Sequence, residues 1–132
     1  MWLRHHSFFR ELSGIDRPLA LLNLLYLGFV ALIPFPTGLI AERGDESAAV
    51  IVYALTFAIS SAVAAQMRLV AERNGLCEPE PWSTLERFAV PAVFAASIPI
   101  ALIDPTAATL SWLALIPVGR WLDRRAAERR SA

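Results

Sequence analysis

The sequence contains no lysine, and only one of its 132 residues is cysteine, Cys77. A single thiol excludes an internal disulfide and leaves no partner for a thiolate metal knuckle. Charge of either sign is scarce: 18% of residues are charged, against about 25% in typical soluble domains. Hydrophobic residues make up 56%, against about 45–50% in such domains. The twelve basic residues, all arginine, are balanced by twelve acids, and the mean hydropathy is +0.49. Such a chain is too apolar for disorder and too balanced for a broad nucleic-acid-binding surface, so no nucleic acid is expected as a partner. No serine–histidine–acid pattern, phosphate loop, metalloprotease helix or kinase signature is present. No catalytic residue is therefore named, and no enzyme is expected. His5 and His6 are adjacent but lack a third ligand, so neither a metal nor a cofactor is expected.

Long stretches without charge dominate what is present. Residues 18–41 and 47–67 are uncharged runs of 24 and 21 residues. A helix needs roughly 20 apolar residues to cross a ~30 Å hydrocarbon layer, so each run is long enough. Residues 88–103 and 105–119 add runs of 16 and 15. At ~1.5 Å per residue these reach only about 22–24 Å, but their flanks lengthen them. Ser83-Thr84-Leu85-Glu86 has the form of a capping box, which starts a helix near Thr84 and lets Arg87 snorkel to the head groups. Asp104-Pro105 reads as an N-cap followed by proline at the first helical position. The expected fold is an all-α integral membrane protein with four transmembrane helices at 18–41, 47–67, 84–103 and 104–122. A short helical stub at 1–17 precedes them, and a basic tail at 123–132 follows. The length of the first run and the acids before it disfavour a cleaved signal peptide. Continuous rather than alternating apolar runs disfavour barrel strands.

Arginine placement sets the orientation. Arg4, Arg10 and Arg17 precede the first run, while Arg68, Arg73 and Arg87 lie in the second loop. Arg120, Arg124, Arg125, Arg129 and Arg130 follow the last run, and only Arg43 falls in the first or third loop. The positive-inside rule then puts both termini in the cytoplasm of a multi-pass cell-membrane protein whose partner is membrane lipid. No acid stands inside any run, so a proton relay or a carboxylate ion-coupling site has no candidate.

Several side chains stand out within this frame. Trp2 and His5/His6 share a helical face at spacings of three and four, which composition alone explains as an interfacial aromatic–basic stub. Asn23, a turn inside the first span, fits either a structural interhelical hydrogen bond or a polar hub shared with the histidines. Pro34-Phe35-Pro36 either ends that helix at the interface or forms a hinge, with Thr37 and Gly38 easing the freed backbone. Ala54, Ala58 and Ala62, with Ser60 and Ser61 beside them, form a small-residue face. Such a face lets helices approach closely, within the chain or between subunits.

At Trp2-Leu3-Arg4-His5-His6-Ser7-Phe8-Phe9, at Leu22-Asn23-Leu24-Leu25 and at Val30-Ala31-Leu32-Ile33-Pro34-Phe35-Pro36-Thr37, the chain resembles a known family. It is similar to the bacterial branch of the potassium channels called transmembrane protein one-seven-five. There a W-x-x-H-H-x-x-F pattern ends the second of six helices, and the third begins with asparagine and ends with P-F-P-T. The resemblance implies that this chain corresponds to the last four helices. It also implies potassium as the permeant ion and a homo-oligomer, by the family's pattern a tetramer. In the family, the first helix lines the pore and carries an Arg-x-x-x-Phe-Ser-Asp motif, against which a polar hub of Trp2, His5, His6 and Asn23 would pack. This sequence holds no Phe-Ser-Asp. The expected function is therefore that of a potassium-channel-family membrane protein, a truncated subunit lacking the filter helix. The alternative is a small structural or interaction membrane protein without transport activity, assembling through the Ala54/Ala58/Ala62 face.

Overall fold

In the computed structural model, residues 14, 16–77, 84–121 and 124 are described. All regular structure among them is helical, with no strand. The stub expected at 1–17 and the tail expected at 123–132 lie almost wholly outside the described residues.

Asp16 opens the first helix, α1 (Arg17–Leu32). Its extended backbone (φ −90°, ψ 167°) turns the carboxylate back to accept from the Leu19 N–H at 2.9 Å. That bond satisfies one of the helix's free N-terminal donors, and Pro18, which has no N–H, fits the first turn at little cost. Pro34 and Pro36 then remove two donors from the ladder. The helix gives way for one residue at Ile33 and resumes as α2 (Pro34–Arg43). Ile33 donates to the Val30 carbonyl at 3.2 Å, and Thr37 returns both its N–H (3.1 Å) and its hydroxyl (2.8 Å) to the Ile33 carbonyl. These bonds repair the backbone around the prolines. The break at Pro34-Phe35-Pro36 thus separates two helices in close succession, and 17–43 together forms one apolar stretch 27 residues long.

After a tight turn, α3 (Ser47–Arg73) runs for 27 residues, six beyond the expected end at Met67. It stops at Gly75, whose φ of +66° is the left-handed geometry that glycine adopts without a side-chain clash. Leu76 donates to the Ala71 carbonyl (2.8 Å) and Gly75 to that of Glu72 (3.1 Å), the paired bonds of a Schellman motif. The segment expected as one helix over 84–103 is divided by a turn at Phe88 into α4 (Thr84–Arg87) and α5 (Ala89–Ala101). The last segment starts as read from the sequence. Asp104 accepts from Thr106 (2.8 Å) and Ala107 (3.2 Å) and caps α6 (Pro105–Ser111). A 3₁₀ turn, Trp112–Ala114, follows, and helix continues over 115–121.

α3 is the central element. Leu19 and Tyr26 of α1 pack with Val63, Met67 and Ala71, so the start of α1 lies beside the end of α3. On the other side, Ala101 at the end of α5 and Ala108 of α6 cluster with Val50 near the start of α3. Arg87, just before α5, reaches Glu72 near the end of α3. α5 therefore runs antiparallel along most of α3, and α6 turns back beside it.

Two elements, residues 17–43 and 47–73, are long and apolar enough to cross a membrane. Only 11% of the apolar window of the first and 28% of the second is buried by the chain's own packing. Leu24 and Phe35 are 68% and 67% exposed on the outer side of the first. Helices this apolar and this uncovered leave a broad hydrophobic surface that the chain's own packing does not cover. α5, with 13 residues, is shorter.

Candidate functional site

Three polar features interrupt the apolar packing. The first gathers at the end of α3. Continuation of this helix past Met67 places Arg68 and Glu72 one turn apart, with the Arg68 Nε 3.5 Å from Glu72 Oε1. Arg87 approaches the same carboxylate from α4. Its two terminal nitrogens donate to Oε1 and Oε2, each at 2.9 Å, a bidentate fork across 15 residues of sequence. The Arg87 and Glu72 side chains are only 8% and 12% exposed, so the pair is largely shielded from water and salt. Arg87, expected to snorkel to the head groups, instead folds inward onto Glu72, and Arg68, expected only as an orientation signal, shares that partner. The four-residue spacing of Arg68 and Glu72 was a visible clue; the meeting with Arg87 was not.

The second feature is Asn23. It follows Leu19 by four residues and precedes Tyr26 by three, so it lies on the side of α1 turned toward α3. Its side-chain oxygen is buried and accepts no hydrogen bond among the described residues. An amide acceptor shielded from water in this way is unfavourable until a donor reaches it. Trp2, His5 and His6, the other members of the expected hub, lie outside the described residues.

A third cluster links α3, α5 and the turn after α6. The rings of Tyr53 and Phe57 stack at 4.5 Å, Tyr53 and Trp112 at 4.9 Å, and Phe57 and Phe94 at 5.4 Å. The indole N–H of Trp112 donates to the Ser97 hydroxyl at 3.0 Å, and that hydroxyl donates to the Phe94 carbonyl at 2.7 Å. The buried serine thus has both roles filled. This arrangement ties α3, α5 and the turn after α6 to one another.

The remaining candidates are structural in place. Ala54 is fully buried, Ala58 is 9% exposed and Ala62 is half-buried, all within the chain's own helix packing. Two of the three alanines are thus covered within the chain, on the helix that α5 packs against. Pro36 is buried, whereas Pro34 and Phe35 are exposed at the break between α1 and α2. Among the described residues, no group of three or more histidine, cysteine or acidic side chains is placed to hold a metal.

No protein-family profile matches the chain, and no solved structure matches it. A potassium channel of Streptomyces collinus is 41% identical over 59 residues, which is 45% of this chain and 29% of that protein. The chain thus spans less than a third of the length of the curated relative it matches.

Proposed function

We propose that this chain is a membrane-embedded helical subunit of a potassium channel, forming scaffold around the ion path rather than the filter itself. The observation that carries the reading is the 41% identity over 59 residues to a protein named as a potassium channel. The two elements long and apolar enough to cross a bilayer agree with it. A transporter rather than an enzyme is the function class in which both belong.

The finer reading has four crossings, with both termini in the cytoplasm of a multi-pass cell-membrane protein. The antiparallel course of α5 along α3, from Glu72 to Val50, supports a third crossing of the same layer. The return of α6 beside α5, with Trp112 bonded to Ser97, supports a fourth. The motifs resembling the transmembrane protein one-seven-five branch suggest a homo-oligomer, a tetramer by that pattern, with potassium as the permeant ion. The buried oxygen of Asn23, unpartnered among the described residues, suits a hub residue that takes its donor from a neighbouring helix. The scaffold role follows from the chemistry of the spans. Selectivity needs lining groups arranged around the ion, and the described spans offer no acid between Pro18 and Ala41 or between Ser47 and Met67.

The test is flux. Reconstituted in liposomes, the 132-residue chain is expected to give no potassium-selective flux above empty controls. Joined behind an apolar helix carrying Phe-Ser-Asp, it is expected to conduct. Potassium-over-sodium selectivity from the chain alone overturns the scaffold role. Silence from both forms leaves the alternative, a structural membrane protein without transport activity.

A further inference from the structure

The shortest candidate crossing carries the best-formed polar contact at its start. α5 has 13 residues, about 20 Å of helix, and Pro99 inside it removes one hydrogen bond from its ladder. A helix that falls short of a ~30 Å layer gains little from crossing it. It has an alternative state, lying at the interface with the Arg87 guanidinium in water. α3 has no such weakness: its 27 residues are long and apolar enough to insert unaided, and they precede α5 in the chain. On entering, α3 presents the Glu72 carboxylate near its inner end, and the Arg87 fork closes on it at 2.9 Å with both side chains largely out of water.

We propose that Glu72 is the anchor that keeps the third crossing inserted, α5 being retained across the layer by docking Arg87 on α3. The inference rests on the four-crossing reading given above. An arginine desolvated at the start of a short apolar helix opposes insertion unless it meets a carboxylate there. Here the carboxylate is supplied by a helix already in place. Glu72 acts as a positioning residue: its effect is on where α5 resides.

The experiment places reporter cysteines in a Cys77→Ser background of the full chain and labels intact cells with a membrane-impermeant maleimide. Ile103→Cys reports the loop after α5, where the native side chain is 89% exposed. Asp45→Cys reports the loop between α2 and α3, where the native side chain is also exposed. Both reporters are expected to label in the parent. Glu72→Gln and Arg87→Gln are each expected to reduce labelling at residue 103 by at least about tenfold, since removing one partner of a buried ion pair shifts an equilibrium by that much or more. Labelling at residue 45 is expected to stay at the parent level. The double variant is expected to match the worse single variant rather than multiply the two losses, which is the signature of direct coupling.

Full labelling at residue 103 in both single variants overturns the anchor and leaves the four crossings standing. A parallel loss at residue 45 also overturns it, because the whole chain rather than α5 would then depend on Glu72. An unlabelled residue 103 in the parent, with residue 45 labelled, overturns the four-crossing reading and the anchor together.

Discussion

Asn23 and Ser97 show how differently two polar side chains behave in apolar surroundings. Ser97 is fully buried yet has a donor, Trp112, and an acceptor, the Phe94 carbonyl. Asn23 holds a buried acceptor to which nothing among the described residues donates. Removing a satisfied group leaves its partner stranded, whereas removing an unsatisfied one relieves a penalty of about 1–3 kcal/mol. Asn23→Leu is therefore expected to leave unchanged or raise the thermal unfolding midpoint of the chain alone in detergent. If Asn23 belongs to a hub between helices, the same substitution lowers the oligomer fraction seen by cross-linking. A clearly lower midpoint for the chain alone would mean that Asn23 already has its partner within the fold. At this scale the legible features were local ones. Asp104 could be read as a cap because it acts on Thr106 and Ala107, two and three residues away. Glu72 and Arg87 lie 15 residues apart, on helices whose approach no single-sequence pattern specifies.

Elements were legible where their apolar runs exceeded the width of a membrane, and less so where backbone chemistry intervened. The two long helices appear where uncharged chain persists, but their ends differ from the charge boundaries. α3 outruns its apolar stretch by six residues because Arg68 and Glu72 pair along the helix and glycine geometry, not charge, stops it at Gly75. The prolines at 34 and 36 interrupt the first helix for a single residue, since Thr37 and the Val30 carbonyl absorb the lost bonds. The alanine spacing fits packing within the chain or between subunits, and burial of Ala54 and Ala58 beneath the chain's own helices favours the first at those two positions. Ala58→Leu is accordingly expected to destabilise the monomer itself by about 1–3 kcal/mol through overpacking. The measurement is the thermal midpoint in detergent at two protein concentrations. A shift that vanishes on dilution would instead place Ala58 between subunits.

For the molecule as a whole, orientation rests on arginines, and the structure changes what those arginines are. Arg68 and Arg87 are not free cations facing water: both lie against Glu72. The positive-inside rule, however, weighs arginine and lysine near the ends of spans and is nearly blind to acids, because it acts while the chain is being inserted, before tertiary pairs form. Pairing with Glu72 therefore leaves the expected cytoplasmic side of this end of α3 unchanged as an expectation. Cys77 makes this testable without mutation. It lies just beyond the Gly75 turn, half-buried, and is the only thiol of the chain. A membrane-impermeant maleimide is expected to label it in inverted vesicles and to leave it unlabelled in intact cells. The two preparations must be compared at equal protein and over a time course, because partial burial slows the reaction in both. Faster labelling in intact cells would put the end of α3 outside. Arg68, Glu72 and Arg87 would then meet at the outer surface, and the arginine count would have failed as a guide to this chain.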